Sequence, residues 1–250
     1  METSKDFATR QILKTLGHEK LLELSDFAST VNYNKILSKP LSKDYFDKAH
    51  QSLTLGDADI LRRYSGYEYS KINGVLRGFW NYETMGMQTD TETSKLKKYA
   101  NLLSLTIREK GKKLPHQTTV YRGTNLAAFR SFGVTSLEEL KFLVGEFVYE
   151  QGFLSTSLSK DSCFFNRELE HHDVCNVQIV YTLPKGTSEI MPLVLPETSY
   201  SPNQKELLID KGSLSKIIDV EINGNTATLT AVLIPKAMWE LEPPTHEKTN

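Results

Sequence analysis

The sequence predicts an α+β fold, with helices from the first half of the chain packed on antiparallel sheets built by the second. Apolar residues recur at three- and four-residue steps up to about residue 115, while β-branched runs crowd the chain from Thr118 onward. Helices that precede strands, instead of alternating with them, are expected to cover one face or end of an antiparallel sheet. No Gly-x-Gly-x-x-Gly or phosphate-loop sequence occurs, so a doubly wound nucleotide fold has no support.

The first 45 residues read as a helical extension, with Ile12, Leu16, Leu21, Leu22 and Leu24 on the helical period. A second helical stretch covers Ala58 to Trp80. A third runs from Lys95 to Arg108 and stops near Gly111 and Pro115, where helices usually end. Strands are expected at Val120 to Arg122, Gly145 to Ser157, Val174 to Leu183, Ile190 to Leu195, Glu206 to Ile209, Lys216 to Ile222 and Thr226 to Ile234. Asn223-Gly224 marks a hairpin between the last two. One domain is expected over 46–240, followed by a flexible tail over 241–250 that offers little to bury.

Composition narrows the function classes. The 250 residues, 39% hydrophobic and 24% charged, can bury a substantial core. A net charge of −1 gives no general drive toward nucleic acid or an anionic membrane. The local basic runs Lys95-Leu-Lys-Lys98 and Lys110-Gly-Lys-Lys113 read as solvated helix face or loop. Cys163 and Cys175 match no zinc or redox spacing, so neither a disulfide scaffold nor a metal is expected. No stretch approaches the roughly 18 apolar residues of a membrane span, and the charged first ten residues carry no visible signal peptide.

Three short pieces carry the chemistry: Tyr121-Arg122-Gly123, Ser155-Thr156-Ser157 and Gln204-Lys205-Glu206. A guanidinium can bond two phosphate or ribose oxygens at once. A hydroxyl can hold a carboxylate in one rotamer, and a carboxylate can stabilise a sugar cation. The two-residue strand period is expected to put Gln204 and Glu206 on one face, and likewise Ser155 and Ser157. Taken singly, each piece also reads as an ordinary strand edge or surface residue. Other constellations are weaker: Cys163 with His171 and His172 lacks a third orienting group, and His171-His172-Asp173 reads as a polar loop. Asp57 and Asp59 read as helix N-terminal charges.

In this order, Tyr-Arg-Gly, Phe-Leu-Ser-Thr-Ser and Gln-x-Glu before an apolar strand resemble the Arg-Ser-Glu class of bacterial mono-ADP-ribosyltransferase toxins. Upstream, Tyr64-Ser-Gly-Tyr-Glu-Tyr-Ser-Lys-Ile-Asn73-Gly-Val-Leu-Arg77 resembles the helix that precedes the core in that family. The four motifs span about residues 58 to 235. The resemblance implies N-terminal helices on a two-sheet antiparallel β core, the ADP-ribosyltransferase fold. It also implies NAD as substrate, with no metal.

Residue by residue, the resemblance implies that Arg122, with Gly123 beside it, holds NAD, and that Asn73 and Arg77 reach its ribose and phosphates. Ser155 supports the carboxylate and lines the nicotinamide pocket, while Thr156 and Ser157 buttress the strand. Phe164 and Arg167, on the loop after it, clamp the dinucleotide. Glu206 is the catalytic glutamate. Gln204 takes the place of the second glutamate of arginine-modifying members, which favours a neutral acceptor. Gln-x-Glu resembles the Rho-inactivating exoenzymes, so the implied target is an asparagine of a Rho-family small GTPase. Tyr200, displaced by one position from the family's exposed aromatic, is the implied recognition residue together with Gln204. The protein is then expected to act as a monomer that is secreted or delivered into a host cell. Alternatives are another acceptor such as Arg, Thr or Gln, an NAD glycohydrolase, and a non-catalytic NAD- or GTPase-binding module.

Overall fold

The computed structural model describes residues 4–31, 39–78, 90–162 and 175–240. Phe164, Arg167, Cys163, His171, His172 and the expected tail over 241–250 lie outside the described residues.

Helices fill the first half, as expected. Helix α1, Ser4–Thr30, breaks at Gly17, where φ is 76° and only glycine sits without strain. Helix α2, Lys43–Gln51, starts at Ser42, whose hydroxyl accepts the Tyr45 N–H. Helix α3, Leu55–Arg63, starts at a capping box in which the Thr54 hydroxyl takes the Asp57 N–H and the Asp57 carboxylate takes the Thr54 N–H. Asp57 is thus the helix N-terminal charge its position suggested. The expected second helix is not continuous: a π-helical turn, Tyr64–Glu68, separates α3 from α4, Tyr69–Leu76. Helix α5 spans Asp90–Lys110. Among the described residues, no helix is long and apolar enough to cross a membrane.

Eight strands follow: β1 Thr118–Thr124, β2 Phe147–Glu150, β3 Leu154–Ser157, β4 Val177–Leu183, β5 Ile190–Leu193, β6 Glu206–Ile209, β7 Ser213–Asn223 and β8 Thr226–Ile234. The segment expected as one strand over Gly145 to Ser157 is two, split at 151–153 by the close approach of Gly152 to Asn73. The hairpin forms as expected, with Asn223 opposite Thr226 and Gly224 at φ 59°.

The expected core of two antiparallel sheets is replaced by one mixed sheet in the order β2-β7-β8-β4-β1-β3-β6-β5. Strand β4 runs parallel to β8 through six residue pairs, Val177 to Thr182 opposite Ala227 to Val232. The two halves are joined at a narrow seam, since only Tyr121 opposite Ser157 pairs β1 with β3. Such pairing between distant segments leaves no trace in local periodicity.

Three apolar clusters hold the layers. Val120, Ile179, Leu183, Leu229 and Ala231 are buried in the sheet's main core. Leu24, Ala28 and Val31 of the first helical segment and the residue after it bury against Phe147, Leu214, Ile234 and Trp239. Leu61, Tyr64, Ile72, Leu103 and Ile107 bury against Phe153, Met191 and Leu208, which fixes α3, α4 and α5 over β5, β6 and the residue that leads into β3. Each fully buried aliphatic side chain contributes roughly 1.5–3 kcal/mol, so this third cluster is ample to hold the helices against the strands that carry the polar motifs. At the far end of β6, the buried Asp210 carboxylate takes Arg108 Nε at 2.9 Å and Lys236 Nζ at 2.8 Å, tying α5 and the last turn to the sheet.

Candidate active site

A cavity of about 560 Å³ opens between the π-helical turn with α4 and the ends of β1, β3 and β6. Every sequence-predicted nucleotide and catalytic residue among the described ones lines it: Asn73, Arg77, Arg122, Gly123, Ser155, Gln204 and Glu206. The sheet order explains the convergence. Arg122 lies on β1, Ser155 on β3 and Glu206 on β6, and these three strands are neighbours.

Glu206 is buried, 8% exposed, at the first position of β6 opposite Ser157. Burial pushes its carboxyl up from the ordinary 4.5 to about 7, against a hydrogen bond from Ser155 and the charge of Arg122, which both pull it down. Arg122 Nη1 donates to the Ser155 carbonyl at 2.9 Å, so one serine links guanidinium and carboxylate. The neighbouring hydroxyls face structural partners: Thr156 Oγ1 donates to the Leu207 carbonyl at 2.6 Å and Ser157 Oγ to the Gln204 carbonyl at 2.8 Å.

Gln204 and Glu206 reach the same cavity by a route the strand period did not predict. Gln204 closes a 3-10 turn over Pro202–Gln204, Lys205 takes the left-handed conformation at φ 49° and ψ 47°, and the strand begins only at Glu206. The turn is fastened by the Ser157 bond and by the Leu158 N–H on the Lys205 carbonyl at 3.0 Å.

On the helical side, Asn73 is buried and fully engaged. Its Nδ2 donates to Tyr64 Oη at 3.0 Å and to the Phe153 carbonyl at 3.3 Å, and its Oδ1 accepts the Phe153 N–H at 2.8 Å. Arg77 Nε pairs with Glu150 Oε1 at 2.8 Å, and that oxygen also accepts the Gly152 N–H at 2.9 Å. Burial opposes the Arg77 charge, and the Glu150 carboxylate more than offsets it, so the guanidinium titrates above its ordinary value. Arg77 and Arg122 also line a second cavity of about 330 Å³ beside the first.

Sequence reasoning missed three contributors. Tyr64 is fully buried, with its hydroxyl 3.3 Å from Ser155 Oγ, and burial together with the Glu206 charge pushes it up to about 12. Tyr69 lines the cavity from the first turn of α4, four residues before Asn73 and so on the same helical face. Glu150 had no local signal at all, because its partner Arg77 lies 73 residues away. Tyr200, the implied recognition residue, is 53% exposed beside the cavity, while its neighbour Ser201 lines it. Among the described residues, no group of three His, Cys, Asp or Glu side chains is arranged to hold a metal ion.

Arginine, serine and glutamate on three neighbouring strands, converging on one cavity beneath an Asn-x-x-x-Arg helix, define the Arg-Ser-Glu class of ADP-ribosyltransferases. The family model for the ADP-ribosyltransferase exoenzymes matches residues 40–237, and the chain belongs to that family.

The fold is shared with solved toxin structures of low sequence identity. C3stau2 from S. aureus, determined with NAD, is 20% identical, with a TM-score of 0.59 over 86% of this chain and 96% of its own. Plx2a, an ADP-ribosyltransferase toxin from Paenibacillus larvae, is 22% identical, with a TM-score of 0.57 over 88% and 98%. BECa, from a binary enterotoxin of C. perfringens and determined with NADH, is 16% identical, with a TM-score of 0.58 over 86% of this chain but 48% of its own. No curated protein matches the chain by sequence.

Proposed function

We propose that this protein cleaves NAD and transfers its ADP-ribose to a side chain of a target protein, an asparagine of a Rho-family small GTPase. The observation that carries the reading is the meeting of Arg122, Ser155, Gln204 and Glu206 on one cavity of about 560 Å³. A cavity of that size suits a dinucleotide. Arg77 and Arg122 offer bidentate donors for its two phosphates, and Glu206 offers a carboxylate for the ribose.

Breaking the bond from ribose to nicotinamide builds positive charge on the sugar. A carboxylate bonded to the 2′-hydroxyl stabilises that charge more in the transition state than in the ground state. Ser155 holds Glu206 in the required rotamer, and Asn73 acts through Tyr64 and the Phe153 backbone as a positioning residue. Nicotinamide leaves as a neutral group, so no general acid is required. Phe164 and Arg167 complete the clamp on the dinucleotide in this reading.

Gln204 supports the neutral acceptor. Its amide can donate to and accept from another amide, whereas a guanidinium would call for a negative charge at this position. Tyr200 beside it supplies an exposed aromatic for contact with the target. Mass spectrometry of a recombinant Rho-family GTPase incubated with enzyme and NAD tests the reading, with an ADP-ribosyl adduct on asparagine as the expected outcome. Modification confined to arginine would overturn the neutral acceptor. Nicotinamide release indifferent to any added protein would make the enzyme an NAD glycohydrolase.

A further inference from the structure

The π-helical turn Tyr64–Glu68 touches two things at once. Its first residue reaches Ser155 inside the cavity, while its next two carry Tyr200 of the β5–β6 connection on the outside. The Tyr200 ring lies against the Gly66 backbone so closely that a Cβ there would sit 2.7 Å from Tyr200 Cε2 and 2.8 Å from Cδ2. Only glycine leaves room for the ring. The Arg62 guanidinium stands over the same ring, 4.8 Å from its centroid, a cation–π contact. The Tyr200 N–H donates to Ser65 Oγ at 3.0 Å, and that hydroxyl spends its own proton on the Arg62 carbonyl at 2.9 Å, which leaves its lone pairs for Tyr200.

We infer that Arg62, Ser65 and Gly66 form a seat that fixes Tyr200, and through it Gln204, for the acceptor side chain. The inference rests on the acceptor role proposed above for Tyr200 and Gln204. Short, stiff chain makes the link: the Gln204 N–H bonds the Ser201 carbonyl at 3.0 Å, and the Lys205 N–H bonds the Pro202 carbonyl at 3.1 Å. A displacement of Tyr200 therefore reaches Gln204 within four residues. Ser65 lines the nucleotide cavity, but Arg62 and Gly66 do not, so changes at those two positions are expected to affect transfer and to leave NAD cleavage alone. Arg62, Ser65 and Gly66 are positioning residues, one step removed from the reacting atoms.

Gly66→Ala and Arg62→Ala test the seat by three readouts: labelling of a recombinant Rho-family GTPase with biotinylated NAD, nicotinamide release without acceptor, and hydrogen exchange of residues 196–205. Gly66→Ala is expected to cut labelling at least about tenfold, since misplacement by about an ångström is costly. Arg62→Ala is expected to cut it about two- to fivefold, as loss of an exposed cation–π contact implies. Nicotinamide release and the KM for NAD stay unchanged in both, and the loop exchanges faster. Arg62→Lys, which keeps a cation over the ring, restores most of the labelling. Adding Arg62→Ala to Gly66→Ala costs little more, because both act through one ring. An unchanged ratio of labelling to nicotinamide release, or equal loss of both, overturns the seat. If the wild type labels no GTPase, the proposed acceptor fails, and the loop exchange alone decides: faster exchange in both variants supports the seat, and unchanged exchange overturns it.

Discussion

Arg77 and Glu150 form a largely buried ion pair, Nε to Oε1 at 2.8 Å, beside the wall shared by the two cavities. The pair ties α4 to the end of β2 and holds one of the two arginines available for phosphate. Glu150→Ala would leave the Arg77 charge without its carboxylate and the Gly152 N–H without its acceptor. Breaking a buried pair from one side costs about 3–5 kcal/mol. Urea unfolding should therefore show a markedly lower midpoint, and the variant that still folds should have a raised KM for NAD.

In the proposed mechanism, Glu206 makes activity depend on pH near neutrality: its carboxyl, pushed up to about 7 by burial, must be ionised to stabilise the ribose cation. Nicotinamide release should rise with pH through about 7 and then level off, whereas Glu206→Gln should abolish release and nearly preserve NAD binding. Stability should move the other way. The unfolded chain loses this proton near 4.5 and the folded chain keeps it to about 7, so stability falls as pH rises across that window. Thermal melts should show wild type losing up to about 3 kcal/mol relative to Glu206→Gln between those pH values. Parallel stability curves for the two proteins would contradict the shift.

Gln204 faces the cavity from the turn before β6 and does not share the Ser155 support of Glu206. Gln204→Ala should spare nicotinamide release while lowering transfer to protein by about tenfold or more, the size of a lost positioning contact. Side-by-side assays of release and labelling check this, and an equal fall in both would remove the acceptor role.

Lys205 is the only non-glycine residue with positive φ among the described residues, at 49°. A left-handed lysine costs roughly 1–2 kcal/mol, which glycine avoids while gaining freedom in the unfolded chain. Lys205→Gly should accordingly leave the melting temperature within a few degrees of wild type. Lys205→Val, a β-branched residue in that region, should destabilise by at least about 1 kcal/mol and depress transfer by dragging Gln204 out of place.

Much of the molecule was legible along the chain. The switch from helical to strand texture near Thr118 appears where β1 begins, β6 and β8 have the expected bounds, and the Asn223-Gly224 turn forms. Side-chain period and turn chemistry are local, and these elements are governed by local preferences. The four motifs were readable for the same reason, since each is a run of adjacent residues. The π turn at Tyr64–Glu68 broke an expected helix, because an apolar period does not register one extra residue in a turn.

What lay beyond the sequence was pairing at a distance. The single mixed sheet, the parallel β4–β8 pair and the one-pair seam at Tyr121 and Ser157 arise from contacts between remote segments. The same holds for Glu150 beneath Arg77 and for Tyr200 on Gly66. By itself the sequence determined which chemical groups are available: a guanidinium, a serine hydroxyl, a carboxylate and an amide, in a stated order. Only the tertiary structure decided that β1, β3 and β6 lie side by side, which brings those groups to one cavity and buries Glu206 enough to move its titration to neutrality. Burial and proximity are properties of packed surfaces, and packing is settled by the whole chain at once.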